Sequence, residues 1–300
     1  MLNLPQFFET ARERYAIKLM RDQQFPKPWT EDPAFLGYRF CNVFREDDTT
    51  TQWIRRTITP AGYGEAYVGA IIIARWFNRI ETLEKLLAPP QDSHYWQENL
   101  LYCWSQPGHW RDWTDKMRKR LVDVKPLVTG AYIIKTPNGK NKLEGLLWCF
   151  ENILPNNKQL TSIFREEGHT LEEATKLLTT FPFLGPFMAY EIVTDLNQTI
   201  MADAPDKYEW ANPGPGCTRG IGRVAVGVPD FFSRGNKKDL AEMLQLMQEI
   251  LLNSHDDDLW PAEWPEWDMR TVEHWLCEFD KHQRITLGEG TPKQLYKGAK

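Results

Sequence analysis

The chain has 300 residues, 42% of them hydrophobic, a formal net charge of −5 and a mean hydropathy of −0.53. That length supports one large core or two smaller ones, and the composition excludes wholesale disorder. The longest apolar run, Ala66–Ala74, is far too short to span a bilayer, and the first residues lack a signal peptide's basic start and apolar centre. Five widely spaced cysteines and no CxxC exclude a zinc ribbon or iron–sulfur loop. Six scattered histidines give no HxxxH pair, so no metal site is expected. Together these features predict a reduced, cytoplasmic chain.

Helical spacing of Phe7, Phe8, Ala11, Tyr15, Ile17, Leu19 and Met20 predicts an opening helix over residues 4–22. Asp32 and Pro33 then start a second helix as cap and first-turn proline, carrying Phe35 through Phe44. On that helix Tyr38, Asn42 and Arg45 would share one face, with Arg39 beside it. One aromatic, one amide and two guanidinium groups suit stacking a base, pairing with its edge and clamping phosphate. A salt-bridged surface helix accounts for the same residues. Gly64–Phe77 reads as a buried helix, Ile80–Leu87 as a short one and Trp110–Val122 as a basic amphipathic one. Val128–Lys135 has the composition of a strand, and Leu143–Leu154 that of a helix stopped by Pro155.

The stretch Thr170–Arg223 organises the rest. Thr170 and Glu173 form a capping box, and Leu171, Ala174, Leu177 and Leu178 an apolar face. Leu184-Gly185-Pro186 makes a turn, and a second helix follows with Met188, Ile192, Val193 and Leu196. A helical pair around such a turn can aim N–H groups at phosphate, with Gly185 nearest the backbone. Asp203 and Asp206 come next, then Trp210-Ala211-Asn212-Pro213-Gly214-Pro215-Gly216, read as a loop continuing to Arg223. Lys238–Asn253 is a strong amphipathic helix, Leu259–Trp267 a stiff Trp-Pro connector, and Thr271–Asp280 a last helix. Basic residues cluster at Lys116–Lys125, at Lys135, Lys140 and Lys142, at Arg219–Lys238, and in the tail. A basic groove on an acidic protein and solvated helix faces both fit these clusters. No GxxxxGK[ST] occurs, and Gly220-Ile221-Gly222 has no strand before it.

The pieces KPWTEDP, LGYRFCNVFREDDTTTQWI, TGAYII, FLGPFMAYEIVTDL, WANPGPGCTRGIGR and VEHWLCEFDK resemble, in this order, the α-glutamyl/putrescinyl-thymine pyrophosphorylases of phage DNA hypermodification. A similar helical domain is fused to phage 5-hydroxymethyluracil DNA kinases. The resemblance runs from about residue 5 to 282 and implies a mainly α fold of helix-hairpin-helix DNA glycosylase type with at most a small β element. It implies one catalytic unit over 1–282, open to division into two lobes around a cleft, and a basic mobile tail over 283–300. The reaction implied is attack of an amino acid or polyamine on 5-pyrophosphoryloxymethyl-uracil in double-stranded DNA, with release of pyrophosphate. Lacking a P-loop, this chain would act on the kinase's product. One departure is that the second glycine of the glycosylase hairpin is replaced by Phe187.

Under that resemblance the catalytic carboxylate is Asp206 or Asp203. Arg39, Arg45 and Arg219 would bind pyrophosphate, with Mg²⁺ as an optional companion and no tightly bound cofactor. Tyr38, Asn42, Trp53, Trp210 and Asn212 would hold an extruded base, and Gly185, Gly214 and Gly216 would approach the DNA backbone. Two rivals stand beside this reading: a glycosylase using the same Asp on the sugar carbon, and a non-catalytic DNA-binding module.

Overall fold

The described residues of the computed structural model are 2–87, 99–101, 110–129, 135–292 and 294–296. Its helices in chain order are α1 (Leu4–Asp22), α2 (Pro33–Gly37), α3 (Thr49–Ala61), α4 (Tyr67–Phe77), α5 (Ile80–Glu84), α6 (Trp110–Leu121), α7 (Lys142–Ile153), α8 (Asn157–Phe164), α9 (Leu171–Leu178), α10 (Pro186–Asn197), α11 (Pro215–Val226), α12 (Lys237–Asn253) and α13 (Met269–Thr286). The fold is mainly α. Among the described residues the only β pairing is one antiparallel bridge between Tyr38 and Leu295. Most of the Val128–Lys135 stretch, expected to be a strand, lies outside the described residues. The chain divides into two compact units, residues 1–48 with 206–300, and residues 49–205.

The first unit is built on aromatic packing around α13. α1 buries Phe7, Phe8, Ala11 and Tyr15, as its spacing predicts, but leaves Ile17 and Leu19 half-buried and Met20 exposed. Phe7 meets Phe279 at 5.5 Å between ring centroids and Phe8 meets Trp267 at 5.3 Å. The indole of Trp275 donates to the Phe7 carbonyl at 3.3 Å. The Trp-Pro segment is an irregular connector between α12 and α13, as expected, and its tryptophans also feed the core. Trp260 and Trp267 are buried; Trp260 packs on both Trp264 and Trp267, and Tyr15 packs on Trp260 and Trp264. Each such pair contributes about 0.5–1.5 kcal/mol beyond its buried area.

Two sequence expectations are corrected here. The helix from Asp32 ends at Gly37, and residues 38–44 are extended rather than helical. Asp32 caps it through its side chain, accepting from the Ala34 and Phe35 N–H groups. Beyond Gly37 exposure alternates, Arg39 and Cys41 outward and Tyr38, Phe40 and Asn42 inward, which is the period of an extended chain. Tyr38, Asn42 and Arg45 therefore do not share a helical face. The second correction is α11, where a loop was expected. Pro215 stands at its first turn and Gly227 caps its end at φ 74°. Its glycines serve packing: a Cβ on Gly216 would lie 2.3 Å from Cys277 Sγ, and one on Gly220 only 2.1 Å from the Leu276 carbonyl oxygen.

In the second unit α4 is buried on every side, as its composition predicts. Its Arg75 makes a two-pronged pair with Asp195 of α10 at 2.7 Å on both oxygens, and also donates to Thr51 and Asn78. The capping box of α9 forms: Thr170 Oγ1 accepts from the Glu173 N–H, and Glu173 accepts from the Thr170 N–H, each at 3.1 Å. α9 and α10 pack as a hairpin. Gly185 caps α10 in ordinary extended geometry, φ −72°. The left-handed residue of the turn is Phe183, at φ 62°.

Candidate functional site

In the first unit two irregular segments lean on the same helix, α13. One is the strap of residues 38–48. The Cys41 N–H donates to Glu278 Oε2 at 2.8 Å, and His274 Nε2 lies 3.1 Å from the Asn42 carbonyl oxygen. Lys281 bridges the two, bonding Glu278 at 2.6 Å and the Arg39 carbonyl at 3.3 Å. The other segment is the Asn-Gly-Pro loop after Asp206. The Gly214 N–H donates to Glu273 Oε1 at 3.3 Å, and the Met269 N–H to the Lys207 carbonyl at 3.4 Å. Glu273 and His274 are consecutive, so loop and strap meet α13 within one helical turn.

The electrostatics follow from burial. Burial alone would raise the Glu278 carboxyl pKa. The Lys281 and His274 charges, with hydrogen bonds from Lys281 and the Cys41 N–H, outweigh it, and the net shift is downward. Lys281 moves the other way: burial lowers it, but Glu278 brings it above its ordinary value. A second focus lies further along α13. The buried Asp280 carboxylate receives Arg219 at 3.3 Å, Arg223 at 2.8 Å and Arg284 at 3.1 Å. Arg219 also pairs with the exposed Asp230 at 2.6 Å, and Arg223 with Glu289. Three guanidinium groups thus surround one buried carboxylate, and the partners on the outer side are exposed.

The named candidates take these places. Asp206 is a buried carboxylate, 9% exposed, whose carbonyl accepts the Glu209 and Trp210 N–H groups at 3.0 and 2.8 Å. Trp210 and Asn212 are half-buried in the same loop. Asn42 is committed within the strap, accepting from Arg14 at 2.6 Å and donating to the Asp47 carbonyl at 2.8 Å. Tyr38 is half-buried, Arg39 exposed and Arg45 buried. Gly214 has its Cβ position 3.6 Å from Glu273, whereas Gly216 lies against Cys277. The second unit holds Trp53, buried in α3, the exposed Asp203 and Gly185.

Sequence reasoning missed Glu273, His274, Glu278, Asp280 and Lys281. No local motif marks them as a site, since their partners come from the strap and the loop, far away in the sequence. Among the described residues no three His, Cys, Asp or Glu side chains gather to hold a metal ion. No helix among them is long and apolar enough to cross a membrane.

Residues 3–291 match the family model described as 5-hmdU DNA kinase, helical domain. The 5-hmdU DNA kinase of Bacillus phage SP10 is 24% identical over 314 residues, covering 93% of this chain and 46% of that protein. The chain thus spans less than half the length of the curated relative it matches. No solved structure matches. With the match running through both units and through strap, loop and α13 alike, the chain belongs to the family of the 5-hmdU DNA kinase helical domain.

Proposed function

We propose that this chain acts on DNA carrying 5-pyrophosphoryloxymethyl-uracil and installs an amine at the exocyclic methylene. The C–O bond to pyrophosphate breaks, a C–N bond forms, and the amine loses one proton. The observation that supports this reading is the match of residues 3–291 to the helical domain of 5-hmdU DNA kinases, beside the resemblance of its motifs to the thymine pyrophosphorylases. A 5-hmdU DNA kinase would supply a phosphorylated hydroxymethyl group, and displacement by an amine is a step that would follow it.

Asp206 takes the amine proton or steadies the electron-poor methylene, for which a buried carboxylate on a tethered loop is suited. Arg39 and Arg219 meet the leaving pyrophosphate, Arg219 by exchanging its exposed partner Asp230 for the anion. Tyr38 and Trp210 offer aromatic faces to an extruded base. A second reading, a non-catalytic DNA-binding module, is favoured by one observation: in the phage relative this region is under half of a longer protein named as a kinase.

The test is mass spectrometry of nucleosides from modified duplex treated with the protein and candidate amino acids or polyamines. An aminated thymidine with free pyrophosphate supports transfer, abasic sites indicate a glycosylase, and unchanged nucleosides with retained DNA binding indicate the module. Asp206→Asn should lower the transfer rate about 10²–10⁴-fold while leaving duplex affinity unchanged. Full activity in that variant removes Asp206 from the mechanism.

A further inference from the structure

The basic stretch of the second unit is untouched by the site above. Between Arg111 and Lys142 nine basic residues stand against three acidic ones, in a chain whose net charge is −5. α6 buries Trp113, Met117 and Leu121 and turns Lys116 and Lys119 outward. Neither lysine has a carboxylate partner among the described residues. Arg118 does: it pairs with Glu144 of α7 at 2.7 Å, which locks α6 onto α7.

One turn further along the same stripe of α7 stands Trp148, four residues from Glu144. Trp148 is half-buried, and its ring meets Phe183 edge-on at 5.7 Å. Phe183 is 41% exposed and sits at φ 62°, a conformation that a bulky side chain seldom adopts. A strained, outward aromatic at a turn is held there by its surroundings. The Arg118–Glu144 pair and the Trp148–Phe183 contact thus tie α6, α7 and the hairpin turn together in sequence.

We propose that Lys116 and Lys119 of α6, with Trp148 and Phe183, form a duplex DNA-docking surface. The lysines contact phosphates, and the two rings lie against an adjoining sugar or unstacked base. Charge complementarity selects the occupant: a polyanion with a regular phosphate repeat matches outward cations beside exposed π-faces. The inference rests on DNA being this chain's substrate, but it does not need amine transfer to occur.

The experiment is fluorescence-anisotropy titration of unmodified duplex over a series of salt concentrations. The proteins are wild type, Lys116→Ala/Lys119→Ala, and Phe183→Asn. Asparagine tolerates the left-handed backbone, so the last variant keeps the turn. Circular dichroism melts confirm that each folds. For the lysine pair the slope of log K against log salt should flatten by about 2, one for each phosphate left without its lysine. Phe183→Asn should weaken binding several-fold at every salt concentration with the slope unchanged. Wild-type slope and affinity in the folded lysine variant would overturn the surface while leaving DNA as substrate. A flattened slope in a protein that yields no aminated nucleoside would keep the surface and remove the transferase reading.

Discussion

Gly220 shows how one absent side chain fixes a helix pair. Alanine there would bring its Cβ to 2.1 Å from the Leu276 carbonyl oxygen, and backbone cannot move aside as a flexible side chain can. Gly220→Ala should therefore destabilise by about 1–3 kcal/mol or more, read from urea unfolding. Gly185 provides the control. Its φ is −72° and nothing lies within 4 Å of its Cβ position, so Gly185→Ala should stay within about 0.5 kcal/mol of wild type. In sequence the two glycines look alike. A glycine reports only that something is missing, and whether a turn, a neighbour helix or a ligand fills the gap is decided by residues far along the chain. The same holds for Asn42, whose amide satisfies Arg14 and the Asp47 carbonyl, partners that no local spacing announces.

At the level of elements, short-range signals were legible and long-range ones were not. α1, α9 and α12 lie where their apolar period puts them, and α9 starts at its capping box, because amphipathic faces and caps are encoded within a few residues. The strap of residues 38–44 escapes such reading because its apolar residues fit a period of 3.6 nearly as well as one of 2. The arbiter is its bonding to α13, more than two hundred residues away. The Glu273–Lys281 face of α13 was likewise invisible as a site, since only folding brings strap and loop to it. In the second unit the link between α4 and α10 is ionic. Arg75→Ala strands the buried Asp195 carboxylate, which should destabilise by about 3–5 kcal/mol in denaturant unfolding. Replacing the pair with packed apolar residues should recover much of that loss.

For the whole molecule, pH is the sharpest probe. Glu278 has its pKa depressed in the folded chain. An unfolded glutamate titrates near about 4.3. The stabilisation is therefore complete above that pH and fades as pH falls through the lower folded value. Wild type should lose melting temperature steeply below about pH 4, whereas Glu278→Gln should start lower at pH 7 and fall less. Equal acid slopes in the two proteins would show that Glu278 does not govern the acid limb.

The first unit is also discontinuous, made of residues 1–48 together with residues 206–300. Phe7, Phe8 and the strap leave the ribosome long before α13 exists to receive them. At about 5–20 residues per second, translation from position 48 to the start of α13 takes on the order of ten to forty-five seconds. During that interval the second unit can finish folding by itself, while α1 and the strap keep their aromatic side chains in water. Nascent-chain chaperones should engage residues 1–48, and release should coincide with synthesis of residues 269–286.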